Sequence, residues 1–230
     1  MDAAAASGLT ALMVASAAGH LETVRRCLVM RGGANVSAYM TTDDMTSDGT
    51  TSHGMTSLLW ACLESHPDIV HYLVQRGGAN VNAARTSDGS TALMLAAGGG
   101  HLETVRCLAE LGGAAVNAAA HDSGTALQDA ASSGHLDVAR LLLQRGAHVN
   151  AALAPCGRTP LILAAEAGHD DLVSLLLEHG ALKSLKDSAG RTALSRAAGF
   201  PLVLAALAKR SAASARRGSR HKQAHAPPRF

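Results

Sequence analysis

The stretch from Asp88 to Ala118 reads DGSTALMLAAGGGHLETVRCLAELGGAAVNA, and its order of features decides the fold. A Gly and a Thr precede a short apolar segment, a Gly-His pair follows, and a second apolar segment runs into Gly, Ala and Val-Asn. The stretch from Cys156 to Leu182, CGRTPLILAAEAGHDDLVSLLLEHGAL, has the same order up to Gly and Ala. Two stretches that share one internal order indicate a repeated structural unit.

The repeat can be followed along the chain by its Thr residue. Aligned copies are spaced by 46, 35, 34, 34 and 33 residues and begin at Thr10, Thr56, Thr91, Thr125, Thr159 and Thr192. The first spacing exceeds the others by about a dozen residues, which places an insertion at about 39–53. Insertions of this kind fall on the loop side of a repeat. A solvated loop is the simpler interpretation of this one, and a docking element is the alternative.

Each copy predicts a pair of helices. The Thr hydroxyl can accept a hydrogen bond from an amide at the start of the first helix. The Gly of the Gly-His pair can end that helix, because a left-handed residue costs least at glycine. The second apolar segment has the spacing of an amphipathic helix. The prediction is therefore a series of helix-turn-helix pairs, joined by loops that resemble β-hairpins.

The composition favours a stack of thin layers over one large globular core. Hydrophobic residues make up 47% of the chain, whereas aromatic residues make up only 2%. A core of Ala, Leu and Val allows helices to approach closely at normal packing density. Small-residue pairs such as Ala96-Ala97 and Ala130-Ala131 predict that neighbouring first helices lie against each other.

The pattern resembles the ankyrin repeat, which has this period and a T-P-L-H-x-A signature. The resemblance implies an all-α solenoid of about six repeats in residues 1–208. One copy keeps the Pro of the signature, as Thr159-Pro160-Leu161. The signature His is replaced in every copy, by Met13, Leu59, Met94, Gln128, Ile162 and Ser195. Because that His normally donates a hydrogen bond, we expect looser turns between these repeats.

The charge divides the chain into an acidic body and a basic tail. Residues 209–230 contain seven Lys or Arg and no Asp or Glu, and residues 1–208 carry 13 basic and 18 acidic residues. The tail is poor in apolar residues and is therefore predicted to be disordered. Its basic clusters could act as a nuclear localisation signal or contact nucleic acid, although basic tails without such a role are common. Any contact with nucleic acid is expected through this tail alone.

The recurring histidines do not predict a metal site. His20, His66, His101, His135 and His169 occur once per copy. Neighbouring helices lie roughly 10 Å apart, which is too far for two such residues to share a zinc ion. We expect each His to bridge backbone groups where the two helices of a copy meet.

The chain contains no motif of an enzyme. Cys27, Cys62, Cys107 and Cys156 form no C-x-x-C pair, so they predict buried free thiols in a reducing compartment. The sequence lacks G-x-S-x-G, the GxxxxGK[ST] phosphate loop and H-E-x-x-H. We therefore expect neither catalysis nor a cofactor.

The sequence predicts a protein of the cytoplasm, the nucleus or both. No run of 18 apolar residues is present, which argues against a membrane span. The first residues lack the basic segment of a secretory signal.

The resemblance implies a non-catalytic adaptor or scaffold that binds a partner protein, with the chain itself a monomer. One alternative is a nuclear regulator that uses the basic tail for import or nucleic-acid contact. Another is the substrate-recruiting subunit of a ubiquitin ligase, although no appended box motif is recognisable in the tail.

The resemblance also implies where a partner binds, on the concave surface that hairpin tips and first helices form. The variable contact positions of the family correspond to Arg85, Ser87, Asp88, Ser90, His121, Asp122, Arg158, Glu166, Lys186, Ser188 and Arg191, with the corner residues Ser132 and Ser133 beside them.

Overall fold

A computed structural model describes residues 10–29, 35–38, 54–111, 113–121 and 124–208. Within these residues the chain forms twelve helices and no strand, which confirms the predicted all-α solenoid. The helices are α1 (Ala11–Ala17), α2 (Leu21–Val29), α3 (Ser57–Leu63), α4 (Pro67–Gln75), α5 (Ala92–Gly98), α6 (Leu102–Glu110), α7 (Ala126–Ser133), α8 (Leu136–Gln144), α9 (Pro160–Ala167), α10 (Asp170–Glu178), α11 (Ala193–Arg196) and α12 (Pro201–Ala208). The predicted insertion at about 39–53 and the predicted disordered tail at 209–230 lie outside the described residues.

The odd-numbered helices begin directly after the Thr residues that anchor the copies. The hydroxyl oxygens of Thr10, Thr56, Thr159 and Thr192 each accept a hydrogen bond from the N–H three residues later, at 3.2–3.4 Å. These bonds satisfy amides that have no acceptor inside the helix. The predicted capping role of Thr is confirmed at these four positions.

The first helices end where the sequence places its Gly-His pairs. Gly134 and Gly168 follow α7 and α9 with φ of 82° and 81°, the left-handed conformation in which glycine is least strained. In the second copy Ser65 takes this place with φ of 60°. The turn thus sets the direction of the second helix.

The helices form two parallel rows. In one row, which we call the first-helix row, α1, α3, α5, α7, α9 and α11 pack side by side. The second helices α2, α4, α6, α8, α10 and α12 form the other. The Ala pairs of α5 and α7 are fully buried between copies, as the close approach of small residues predicts.

Asparagine side chains connect the loops of successive copies. The Asn82 side chain donates to the carbonyl oxygen of Gly113 at 2.6 Å and accepts from the N–H of Ala115 at 2.8 Å. Asn117 makes the equivalent pair of bonds one copy later, with Gly146 at 3.0 Å and His148 at 2.7 Å. Each Asn satisfies a donor and an acceptor of the next loop, so the Val-Asn of the repeat fixes the register of stacking.

The loops that lead into the first helices close as narrow hairpins in three copies. Isolated antiparallel bridges join Ala84 to Thr91, Leu153 to Arg158 and Lys186 to Thr192. The predicted hairpin-like loops are confirmed at these positions.

The fourth copy replaces the missing signature His with a glutamine. The Gln128 side chain accepts from the N–H of Thr125 at 2.8 Å, and it donates to the carbonyl oxygens of Arg158 at 2.9 Å and Ala151 at 3.2 Å. It is 1% exposed, so these three bonds are shielded from water. The expectation of a looser turn is therefore wrong between the fourth and fifth copies.

The sixth copy is shortened and leaves apolar side chains exposed. Its first helix has four residues, and Phe200 stands where other copies have the His of the Gly-His pair. Leu194 is 51% exposed, whereas the equivalent Leu161 is 1% exposed under the next copy. Leu194 lies on a face that no further copy covers within the described residues.

The cysteines are free, but the prediction that they are all buried is wrong. Cys62 is fully buried, and burial raises the pKa of its thiol far above the usual range. Cys27, Cys107 and Cys156 are half-buried. Cys27 and Cys107 lie on the second helices α2 and α6, where neighbouring residues cover each thiol only in part.

Candidate partner-binding groove

One residue of each first helix lies on the side of the first-helix row that faces away from the core. This residue comes four places after the anchoring Thr, and none of the six is fully buried. The six are Val14, Trp60, Leu95, Asp129, Leu163 and Arg196. We call the surface that they mark the groove.

The groove is apolar in its N-terminal half. Val14 is 50% exposed, and it shares an open cavity of about 400 Å³ with Trp60. Met13, Ala17, Ala18 and Glu64 complete the lining. Val14 and Ala18 are exposed and Trp60 is half-buried, and adjoining apolar side chains that reach the surface are typical of sites that bind other proteins.

The groove is charged and internally paired in its C-terminal half. The Arg196 guanidinium lies 2.6 Å from the Glu166 carboxylate and also donates to Asp187. Glu166 is in turn 3.1 Å from Arg158. Asp187 is 6% exposed, and its pKa is lowered to about 2, mainly by the backbone N–H of Arg191 and then by Arg196. Arg158, Glu166, Asp187 and Arg196 therefore each have a partner within the chain.

Asp129 lies between these halves and has no such partner. Within the described part of the chain its carboxylate makes no hydrogen bond and no ion pair. Partial burial raises its pKa to about 7, and the nearby charge of Asp88 adds to the effect. The other groove residues in the neighbouring copies are leucines, so a carboxylate at this position is an exception in an apolar line.

Asp88 holds the hairpin tip of the third copy. Its carboxylate accepts from the Arg85 guanidinium at 2.9 Å, from the Ser90 N–H at 3.0 Å and from the Ser90 hydroxyl at 2.6 Å. Its carbonyl oxygen accepts from the N–H of His121 in the next copy at 3.0 Å. Desolvation opposes ionisation here, but the bonds to Arg85 and Ser90 prevail and hold the pKa of Asp88 well below its usual range.

The structure separates the thirteen residues predicted as contacts into four groups. Seven are exposed, namely Ser87, His121, Ser132, Ser133, Lys186, Ser188 and Arg191. Four are half-buried and belong to ion pairs, namely Arg85, Asp88, Arg158 and Glu166. Ser90 is 3% exposed and supports the hairpin, so its assignment as a contact residue is wrong. Asp122 lies outside the described residues.

Sequence reasoning missed the groove residues themselves. Their signal was available, because aligning the copies on Thr shows Val, Trp, Leu, Asp, Leu and Arg at one position. This position is apolar in the first three copies and includes Asp and Arg in the last three, which marks where the groove becomes charged. Asp187 was also missed, since its role depends on contacts with Arg196 and the turn before it.

The recurring histidines connect neighbouring copies. The ring Nε2 atoms of His66, His101 and His135 lie 3.0, 2.9 and 3.0 Å from carbonyl oxygens at the end of the preceding first helix. Because a carbonyl oxygen only accepts, each Nε2 carries the proton. A structural role is confirmed for these three histidines, but their rings bond to the preceding copy and not within one copy. No group of three His, Cys, Asp or Glu that could hold a metal ion occurs among the residues described.

Asp129 is expected to make stability depend on pH. The pKa of Asp129 lies above the ordinary value of 3.8, at about 7, so the folded protein favours the protonated carboxyl group. The stability that Asp129 contributes is therefore fully present below about pH 4 and is lost as the pH rises to 7 and beyond. At pH 8 the Asp129→Asn variant should be more stable than the wild type by about 2 to 4 kcal/mol. Urea unfolding of both proteins at several pH values measures this difference. A difference that does not change with pH would contradict the assignment.

Comparison with known families identifies the repeat. A family model for ankyrin repeats matches the chain in three copies, at residues 1–85, 78–153 and 151–215. A comparison with curated proteins found no match. A separate search of the described helices found none long and apolar enough to cross a membrane.

Proposed function

Because the chain belongs to the ankyrin-repeat family, we propose that it acts as an adaptor or scaffold whose groove binds a partner protein. Ankyrin repeats are generally protein–protein interaction modules and are typically non-catalytic. The observation that carries the proposal is the exposed apolar surface around Val14 and Trp60 on the first-helix row. A partner that covers these side chains removes apolar area from water, which is the main driving force of association.

The hairpin tips provide the polar rim of this binding surface. Ser87, His121, Ser188 and Arg191 are exposed beside the first-helix row, although the His121 ring lies 3.1 Å from the carbonyl oxygen of Asp88 and Arg191 lies 3.6 Å from Asp187. Interfaces typically combine a few buried apolar anchors with such a rim. Residues that are already paired, such as Glu166 and Arg158, mainly keep the surface in one shape.

The groove is tested by changing one apolar residue and one distant residue in parallel. Val14→Glu should weaken capture of partner proteins by about tenfold or more, because it places a charge in the centre of an apolar contact. Arg140→Glu alters an exposed residue of α8 and should leave capture unchanged. Circular dichroism and thermal unfolding confirm that both variants are folded.

The outcome of capture decides between this surface and another. If both variants retain the same partners at the same yield, the groove does not bind them. If Arg140→Glu loses partners and Val14→Glu keeps them, binding takes place on the second-helix row.

We propose a location in the cytoplasm, the nucleus or both, and a monomeric chain. The alternatives of a nuclear regulator and of a ubiquitin-ligase subunit have no support among the described residues. The first of these depends on residues 209–230, so deleting that segment and following the distribution of the protein in cells tests it.

A further inference from the structure

The sixth copy shows how this fold neutralises a charge in the groove. Arg196 lies four residues after Thr192, and its guanidinium has two carboxylate partners. Glu166 belongs to the first helix of the preceding copy, and Asp187 to the hairpin of the same copy. A charged groove residue is thus paired from two fixed positions of the repeat.

The fourth copy has a charge in the groove but lacks both partners. The position of Glu166, seven residues after the Thr, is occupied by Gly98 in the copy before Asp129. The position of Asp187, five residues before the Thr, is occupied by Ala120. Neither residue can neutralise a carboxylate. Asp129 is therefore a half-buried carboxyl group whose two places for a counter-charge are empty of charged groups.

The structure also leaves space beside Asp129. Gly98 has no side chain, and a Cβ built on it would lie 3.7 Å from the Cβ of Asp129 and within 4 Å of no other atom outside its own helix. The flanking groove residues, Leu95 and Leu163, are half-buried and apolar. A lysine or arginine side chain of a bound partner could pass Gly98 and reach the Asp129 carboxylate. Its methylene groups would then contact the flanking leucine side chains.

Resting on the proposed function, we infer that the groove binds a protein segment that places a lysine or arginine on Asp129 and apolar side chains beside Leu95 and Trp60. Asp88 does not serve the same purpose, because its carboxylate already pairs with Arg85 and Ser90. Glu166 is likewise paired, with Arg158 and Arg196. Among the described residues Glu64, beside Val14 and Trp60, is exposed to water, whereas Asp129 is a half-buried groove carboxyl that a partner's cation can neutralise.

The test uses random linear peptides displayed on phage and selected on the intact chain. Enriched peptides should share a Lys or Arg next to apolar residues. Their affinity for the Asp129→Asn variant should fall at least about tenfold, because the basic side chain loses its partner in a partly desolvated site. Asp137→Asn, which removes an exposed carboxylate from α8, should leave the affinity unchanged.

A double-mutant cycle isolates the pair. Replacing the Lys or Arg of a selected peptide by Met should weaken binding to the wild type but have little further effect on Asp129→Asn. Additive losses would overturn the pairing. Selected peptides without a shared basic residue would overturn it as well.

A third variant supplies the missing partner from within the chain. Gly98→Lys should place an ammonium group beside Asp129 and reduce the binding of basic peptides at least about tenfold. Gly98→Gln has similar size and no charge, and it should reduce their binding less. Equal losses in the two variants would show an effect of size alone and would overturn the inference.

The same peptides distinguish failure of the inference from failure of the proposed function. Peptides that bind Asp129→Asn normally but not Val14→Glu occupy the groove without using Asp129, so only the inference fails. Peptides that bind both variants normally use neither Asp129 nor the apolar surface around Val14 that carries the proposed function, and then both fail.

Discussion

Leu127→Ala is expected to lower the free energy of unfolding by about 2 to 5 kcal/mol. Leu127 lies in α7 with 0% exposure, between the copies on either side. Removing its side chain loses the burial of the leucine and leaves a cavity that rigid neighbouring helices fill only in part. Urea unfolding followed by far-UV circular dichroism measures the loss.

Leu194→Ala provides the matched control, because Leu194 occupies the same position in the sixth copy. It is 51% exposed, so the same truncation removes little buried area. We expect a change within about 0.5 kcal/mol, as for an ordinary surface substitution. Similar losses for both variants would contradict the conclusion that the face of the sixth copy is open.

Gly134→Ala is expected to lower the free energy of unfolding by about 3 kcal/mol, through two separate costs. Gly134 has φ of 82°, where an L side chain is strained. A Cβ at this position would also lie 2.5 Å from Cε1 of His169, whose ring bonds to the carbonyl oxygen of Ser132 at 3.2 Å. The added methyl must displace that ring, so the substitution damages the contact between the fourth and fifth copies.

Gly146→Ala separates these two costs. Gly146 has φ of 85°, almost the same conformation, but nothing lies within 4 Å of a Cβ built there. It should therefore show only the backbone strain, about 1 kcal/mol. The difference between the variants, measured by thermal or urea unfolding, estimates the cost of moving His169. No difference would mean that the ring moves freely and contributes little to stacking.

Local features of the fold could be predicted because short-range interactions determine them. A Thr hydroxyl caps its helix through an amide three residues away, and a Gly ends the helix through its own backbone. The residues concerned are neighbours in sequence. Their pattern therefore carries the helix starts at Thr10, Thr56, Thr159 and Thr192 and the turns at Gly134 and Gly168.

Hydrogen bonds between copies were harder to predict. The signature His is missing from the fourth copy, but Gln128 reaches Arg158 thirty residues later because the stacking brings that carbonyl oxygen near. The sequence shows a departure from the family pattern at this residue. Only the arrangement of two copies shows that the glutamine replaces the lost hydrogen bonds.

The same distinction applies to the candidate site. The family resemblance led to the hairpin tips and corners, where exposed residues such as Ser87 and Arg191 are found. It did not show that Ser90 is buried, or that Arg85 and Asp88 are committed to each other. Exposure and pairing depend on neighbours that residue type does not reveal.

By itself, the sequence determined the period, the helix pairs and the family, because these follow from residue types at fixed spacings within one copy. The tertiary structure decided which charges are neutralised. Arg196 pairs with Glu166 of the preceding copy, whereas Asp129 faces Gly98 at the equivalent place. The physical reason is that ion pairing and desolvation depend on distances across the stack, and those distances exist only once the copies have packed together.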